Sequence, residues 1–368
     1  MLLKVDRASA AALHESSQSV GARLAAWASR RALRAVLAFA ALFGVVAFVL
    51  GAGNRLTRGP WFLYAPEVSV IPPIGRAGWQ HAFALHQQSP IYALCGGYDV
   101  DGMQSITIYR FLYWWEWWRI ASVVLLVAAL LAAAFIYLIR ATRAPQSSDL
   151  RRWLGLLAAA VLYFVLRYFA DHAGLFATIN LGQQRHALDI MFASVGVAML
   201  IVAAIAPSVA PDAPVVSRVT SRAIWASFIA INIAFGALFE ALDAGPLWTS
   251  FPGYADAILP APDRLLAFHP VWRNFTENGY FVQASHRVLS IGLWAAALLT
   301  VAIAAFRRLP LARVTVLLGL LTFEGMLGVA TLQPDAPVVL SIVHEACAIA
   351  VLAVALMPRG VAVKRTGS

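Results

Sequence analysis

Charge is what this chain has least of. Only 12% of its 368 residues are Asp, Glu, Lys or Arg, against 61% hydrophobic, and the mean hydropathy is +0.74. A soluble domain carries about 25% charged residues, so a chain wetted over its whole surface is excluded. Cysteine is scarce as well: Cys95 falls in a long outer loop and Cys347 in the last apolar run. That separation implies no disulfide framework. A cleavable leader is also wanting. The first thirty or so residues are rich in Ala, Ser and Arg but include Asp6 and Glu15, and the apolar run after them is too long for a signal-peptide core and has no small-x-small cleavage site. They read as a cytoplasmic tail, with a mitochondrial presequence as the alternative.

What the chain does have is long apolar runs. A hydrocarbon core of about 30 Å takes about 20 helical residues, and eight runs reach that scale: 32–53, 118–139, 153–169, 187–207, 223–242, 281–306, 314–332 and 338–357. The fold class predicted is an all-α integral membrane protein with eight transmembrane helices. Lys4, Arg7, Arg23, Arg30 and Arg31 precede the first run, Arg140, Arg143, Arg151 and Arg152 follow the second, and Arg307, Arg308 and Arg313 follow the sixth. Basic residues mark the cytoplasmic side, so both termini are expected there, in a bacterial inner membrane. This bias and the tails account for the net charge of +10, and no nucleic acid is needed to explain it.

Two long outer loops, 54–110 and 243–280, each lead into a helix with notable residues, whereas the other connections are short. The pattern suggests two parallel four-helix-bundle repeats: a tail over 1–31, an N-terminal bundle over 32–207, an inner linker over 208–222, a C-terminal bundle over 223–357 and a tail over 358–368.

Within the C-terminal repeat, His286 and His344 each sit in an apolar helix, nine residues beyond an acidic residue, Glu277 and Asp335. Both therefore rest at one depth. Two imidazoles so placed can clamp one haem iron from opposite sides, which suits electron transfer; the alternative is a pair of packed interior histidines, each hydrogen-bonded to a neighbour. Laying one repeat on the other puts Arg119 where His286 stands and Asp189 where His344 stands. An arginine and an aspartate at one depth are expected to neutralise each other, unless both face water near the interface. Glu324, in the middle of the seventh run, must be protonated or paired, and can serve proton transfer. Arg287 and Arg273 suit haem propionates or snorkel to the interface. The run Tyr113-Trp114-Trp115-Glu116-Trp117-Trp118 reads as an aromatic belt, and His81, His86 and His269 as solvated loop histidines.

The motifs resemble those of the haem A synthases. In the second half these are Ala241-Leu242-Asp243-Ala244-Gly245, Phe251-Pro252, Trp272-Arg273-Asn274-Phe275 with Glu277-Asn278, Val282-Gln283 with His286-Arg287, Leu327-Gly328-Val329-Ala330-Thr331-Leu332, and His344. In the first half they are Arg55-Leu56-Thr57, Val70-Ile71-Pro72-Pro73, Trp79, Gln88-Ser89-Pro90 with Tyr92, and Tyr113-Trp114-Trp115-Glu116-Trp117. The resemblance implies two similar four-helix bundles, oxidation of a methyl group of haem O to the formyl of haem A, and a haem B held by His286 and His344. It also implies a substrate site in the N-terminal bundle, where Glu116 matches a family glutamate and acts in catalysis. The two histidines of that site are replaced by Arg119 and Asp189, and Arg167 stands where the family keeps a small residue. Arg119, Asp189 and Arg167 are then expected to form an ion cluster in a vacated site, with His186 or His172 as a displaced ligand. The enzyme reading competes with a non-catalytic haem B-binding paralogue in electron transfer or oxidase assembly. The partners implied are membrane lipid, a haem O synthase and terminal-oxidase assembly factors, with a homo-oligomer left open.

Overall fold

The computed structural model describes residues 7–56, 68–89, 105–143, 182–205, 215–254, 260–333 and 335–357. Among them the long elements are all helices: α1 (Arg7–Leu56), α2 (Gly75–Gln87), α3 (Ile106–Arg143), α4 (Gly182–Ile205), α5 (Val215–Ala241), the short α6 (Pro262–Leu265) and α7 (Asn274–Glu277), then α8 (Gly279–Phe306), α9 (Ala312–Ala330) and α10 (Val338–Leu356). In a bilayer a helix satisfies every backbone polar group internally, so apolar runs of this length have no competing structure.

Seven described helices are long and apolar enough to cross a membrane: Arg31–Leu56, Ile106–Ile139, Gly182–Ile205, Ser221–Ala241, Gly279–Phe306, Ala312–Ala330 and Val338–Leu356. Each overlays an expected run. The remaining expected run, 153–169, lies outside the described residues together with Arg167, His172 and Cys95. The chain is thus a multi-pass membrane protein.

Three elements depart from expectation, one of them α5, which begins at Val215 inside the expected inner linker over 208–222. From Arg7 on, the expected tail continues into the first span as one helix, so α1 has 50 residues; at 1.5 Å per residue it is about 75 Å long, far more than the hydrocarbon core needs. The first outer loop carries α2 and ends early, because α3 begins at Ile106 and takes in the whole aromatic run. At the entrance to α8, Asn278 caps the helix by accepting from Tyr280 N at 3.0 Å and Phe281 N at 3.4 Å, as a short polar side chain does at an N-cap.

α1 packs on α3, α4 and α10; α4 packs on α5 and α10; α5 and α9 each pack on both α8 and α10, closing the C-terminal helices around one another. One apolar core runs through both halves, with Phe48 of α1, Ile190 and Val197 of α4, Ile229 of α5 and Leu352 of α10. Polar contacts cross the same seam. Arg55 of α1 meets Glu345 of α10 at 2.6 Å, His186 of α4 lies 3.3 Å from Glu240 of α5, and Gln184 donates to Thr276 of α7 at 2.9 Å.

Candidate functional site

The C-terminal helices bring His286 of α8 and His344 of α10 together, with ring centroids 6.4 Å apart and ring planes at 84°. Each ring turns Nδ1 to an oxygen of a neighbouring helix. That of His286 lies 3.1 Å from the backbone carbonyl oxygen of Asn232 on α5, and that of His344 lies 3.2 Å from Glu324 Oε1 on α9. A nitrogen held at Nδ1 leaves Nε2 as the free donor of each imidazole.

The room for each ring comes from a glycine one turn further along the helix that holds it. A Cβ on Gly236 of α5 would stand 3.1 Å from Cε1 of His286, and a Cβ on Gly328 of α9 would stand 3.1 Å from Cε1 of His344. Asn232 and Gly236, like Glu324 and Gly328, are four residues apart and so share a helix face. Two helix pairs therefore build two similar half-sites: a histidine on one helix, and an Nδ1 partner with a glycine on the other. Ser290 adds support on α8, donating to the His286 carbonyl at 2.8 Å while accepting from Asn232 Nδ2 at 3.0 Å. His344 keeps 24% of its side-chain surface accessible and Glu324 17%. Glu324 is paired, one of the two states its depth required.

The second outer loop is fastened to the same end of α8. Gln283 donates to the Trp248 carbonyl at 2.8 Å. Arg287 donates to the carbonyls of Trp248 at 2.6 Å, Ser250 at 2.8 Å and Gly253 at 3.0 Å, and its guanidinium lies 5.0 Å from the Tyr254 ring centroid. Arg287 is thus buried among loop carbonyls that need donors, and of its two expected roles snorkelling to the interface is the one that does not hold. Arg273 is likewise engaged, by Glu277 at 2.6 Å and 2.9 Å, and that carboxylate raises its already high pKa. Burial raises the Tyr254 phenol above 10.0, opposed by Arg287. Asn274 and Asn278 complete the loop by bonding to each other at 2.9 Å and to the carbonyls of Phe268, Val271, Arg264 and Leu265.

The N-terminal half holds a different centre. Glu116 of α3 accepts from Arg119 through both carboxylate oxygens, at 2.8 Å from Nε and again from a terminal nitrogen, and from Asn54 Nδ2 of α1 at 3.1 Å. Asn54 Oδ1 in turn accepts from Trp115 Nε1 at 2.7 Å. A Cβ on Gly53 would collide with that indole, so glycine is what lets the ring lie against α1. The expected Arg119–Asp189 pair is therefore corrected. Glu116 is one turn before Arg119 on the same face, so the two meet without any approach between helices. Asp189 sits half-buried on α4, and its neighbour His186 faces Glu240 across the seam.

Above this centre α2 lies on the start of α3. Trp79 packs edge-on to Tyr113 at 5.1 Å, and His86 stacks on Tyr109 at 5.0 Å. His86 is thus half-buried rather than solvated, and burial lowers its pKa; His81 and His269 are exposed as expected. Of the aromatic belt, Trp114 and Trp118 are exposed, whereas Tyr113 is buried and bonds to Ser69 at 2.9 Å.

Residues that the sequence did not single out include Asn232, Gly236, Glu240 and Glu345. A polar residue four before a glycine recurs at Asn232 and Gly236 as at Glu324 and Gly328, a pattern whose meaning shows only once α8 and α10 are packed against it.

Known proteins resemble this chain along most of its length. Residues 34–356 match the family described as cytochrome oxidase assembly protein. A haem A synthase of Rhodopseudomonas palustris (strain BisA53) is 31% identical over 337 residues, covering 88% of this chain and 90% of the relative. Those of Rhizobium etli (strain CIAT 652) and Azorhizobium caulinodans are 29% and 28% identical, over 89% and 92% of this chain and 89% and 95% of theirs. With a match that spans both halves and both histidine-bearing helices, the chain belongs to the cytochrome oxidase assembly protein family.

Proposed function

We propose that this protein is a haem A synthase-type oxidoreductase, taking the methyl group of haem O to the formyl of haem A, and that its C-terminal bundle holds a haem B between His286 and His344. The observation that carries the cofactor assignment is the 6.4 Å between the two ring centroids. A first-row metal binds imidazole nitrogen at about 2.0–2.1 Å, and a five-membered ring of bonds near 1.33 Å has its nitrogens about 1.1 Å from the centroid. Two rings on opposite sides of one metal thus have centroids about 6.3 Å apart. A macrocycle would fill the metal positions that the two imidazoles leave open. The donor set fits a haem, which when bound supplies one-electron chemistry.

The chain's own residues do the rest. Asn232 and Glu324 fix the tautomer and direction of the two imidazoles. Gln283 and Arg287 fix the outer loop over the end of α8, and Arg273 stands at its edge. Glu116 holds its carboxylate between Arg119 and Asn54, placed to hold or pass a proton in the N-terminal half. The arginine-rich inner loops set both termini in the cytoplasm of a bacterial inner membrane. A haem O synthase supplies the substrate and terminal-oxidase assembly receives the product.

A second reading is favoured by one observation: Arg119, at the position matching a family histidine, is closed onto Glu116. That arrangement suits a haem B-binding paralogue in electron transfer or oxidase assembly. Expression in a haem A-deficient strain that makes haem O, followed by haem extraction, separates the two. Haem A in the membranes supports the enzyme; haem B alone supports the paralogue.

A further inference from the structure

We infer that Glu324 is a positioning residue that makes the two axial imidazoles unequal, giving His344 imidazolate character and lowering the reduction potential of the haem. The inference rests on the haem reading above and concerns residues outside the ligand pair. Nδ1 of His286 faces a neutral backbone carbonyl, at 3.1 Å from Asn232 O. Nδ1 of His344 faces a carboxylate, at 3.2 Å from Glu324 Oε1. The other carboxylate oxygen, Oε2, and His344 Nδ1 are both buried with no other hydrogen-bond partner, and the Cys347 thiol of α10 also reaches this carboxylate.

Glu324 stands in the middle of α9, facing His344 and Cys347 of α10. An ionisable side chain there costs about 2.5–3.5 kcal/mol or more on insertion scales. The neighbouring carboxylate in sequence, Glu345, is turned to Arg55 at 2.6 Å and does not compete for His344. Gly328, one turn on, clears the space that lets the ring reach Glu324. A carboxylate that accepts the Nδ1 proton raises the basicity of Nε2, and a more basic ligand favours ferric over ferrous iron. His286 receives no such push from a carbonyl.

The test compares the purified wild-type protein with Glu324→Gln and Glu324→Asp, and with Glu345→Gln as the control carboxylate. Wild-type protein lacking a low-spin b-type spectrum overturns the haem reading itself. Given that spectrum, Glu324→Gln is expected to keep haem but raise the midpoint potential, with the ferric-to-ferrous preference changing on the order of tenfold, which for one electron is about 59 mV. The low-spin electron paramagnetic resonance g-values are expected to move with it. Glu324→Asp, with its carboxylate withdrawn by one methylene, is expected to shift both in the same direction by less; it also serves if the Gln variant does not accumulate. Glu345→Gln is expected to leave the g-values in place. A haem-loaded Glu324→Gln protein, or in its absence Glu324→Asp, with unchanged potential and g-values overturns the inference while the bis-histidine haem stands.

Discussion

Substituting Gly328 with Ala separates folding from cofactor binding more cleanly than any change to the histidines. The new Cβ would lie 3.1 Å from Cε1 and 3.5 Å from Nε2 of His344, whereas carbon atoms rest about 3.5–4.0 Å apart. The ring must therefore retreat by about half an ångström. Metal–ligand distances tolerate only about 0.2 Å, so haem affinity is expected to fall on the order of 10- to 100-fold, as when a supporting group is lost. The helix itself gains, because Ala is favoured over Gly by about 1 kcal/mol in a helix interior. The signature is thus an apoprotein at least as resistant to heat as wild type, with a faster loss of haem. Haem transfer to excess apomyoglobin, followed by the decay of the b-type Soret band, measures that loss, and thermal unfolding in detergent measures the fold. Gly319→Ala and Gly292→Ala are the controls, since a Cβ at either meets nothing within 4 Å. Wild-type haem retention in Gly328→Ala, or equal loss in the controls, refutes the steric account of this half-site.

His286→Ala and His344→Ala are each expected to abolish the low-spin b-type absorbance of the purified protein, and retention of the full spectrum in both refutes ligation by the pair. Glu116→Gln leaves Arg119 without its carboxylate and is expected to lower thermal stability by about 1 kcal/mol at most, given the screening of the 35% exposed Arg119 side chain; the double variant with Arg119→Gln recovers part of that, and equal melting of the single and double variants refutes coupling. The same Glu116→Gln protein is expected to lose formyl-haem production while keeping haem B, read by haem extraction. Tyr254 has a folded pKa raised by burial, so its contribution to stability is present below about pH 10 and is lost as pH rises through the folded value; the 295 nm titration of wild type minus Tyr254→Phe is expected to lie above that of free tyrosine, and a normal or lowered value refutes burial as the cause.

The spans were legible because apolar length alone dictates them in a bilayer. Matched spacing from Glu277 and Asp335 placed His286 and His344 at one depth, and the structure brings them together. The partners of their Nδ1 atoms divide by visibility. Glu324 stands out as a carboxylate in an apolar helix, whereas Asn232 contributes a backbone carbonyl, which has no side-chain signature. Gly236 and Gly328 acquire meaning only when the neighbouring helix is known. Arg119 was misassigned to Asp189 because the overlay of repeats speaks to equivalent positions and is silent on a partner three residues away. The first outer loop hid α2, whose burial rests on Trp79 meeting Tyr109 and Tyr113, contacts set by α3 and not by local pattern.

The seam between the halves divides its charges by side. Arg55 and His186 come from the N-terminal helices, and Glu345 and Glu240 from the C-terminal ones. Two copies of the C-terminal half meeting through this surface would set carboxylate against carboxylate, and two copies of the N-terminal half would set base against base. The surface therefore acts as a lock and key between unlike halves. Expressed as separate polypeptides cut within the inner linker, the halves should find each other and not themselves, and exchanging Arg55 with Glu345 should preserve that choice while either change alone erodes it.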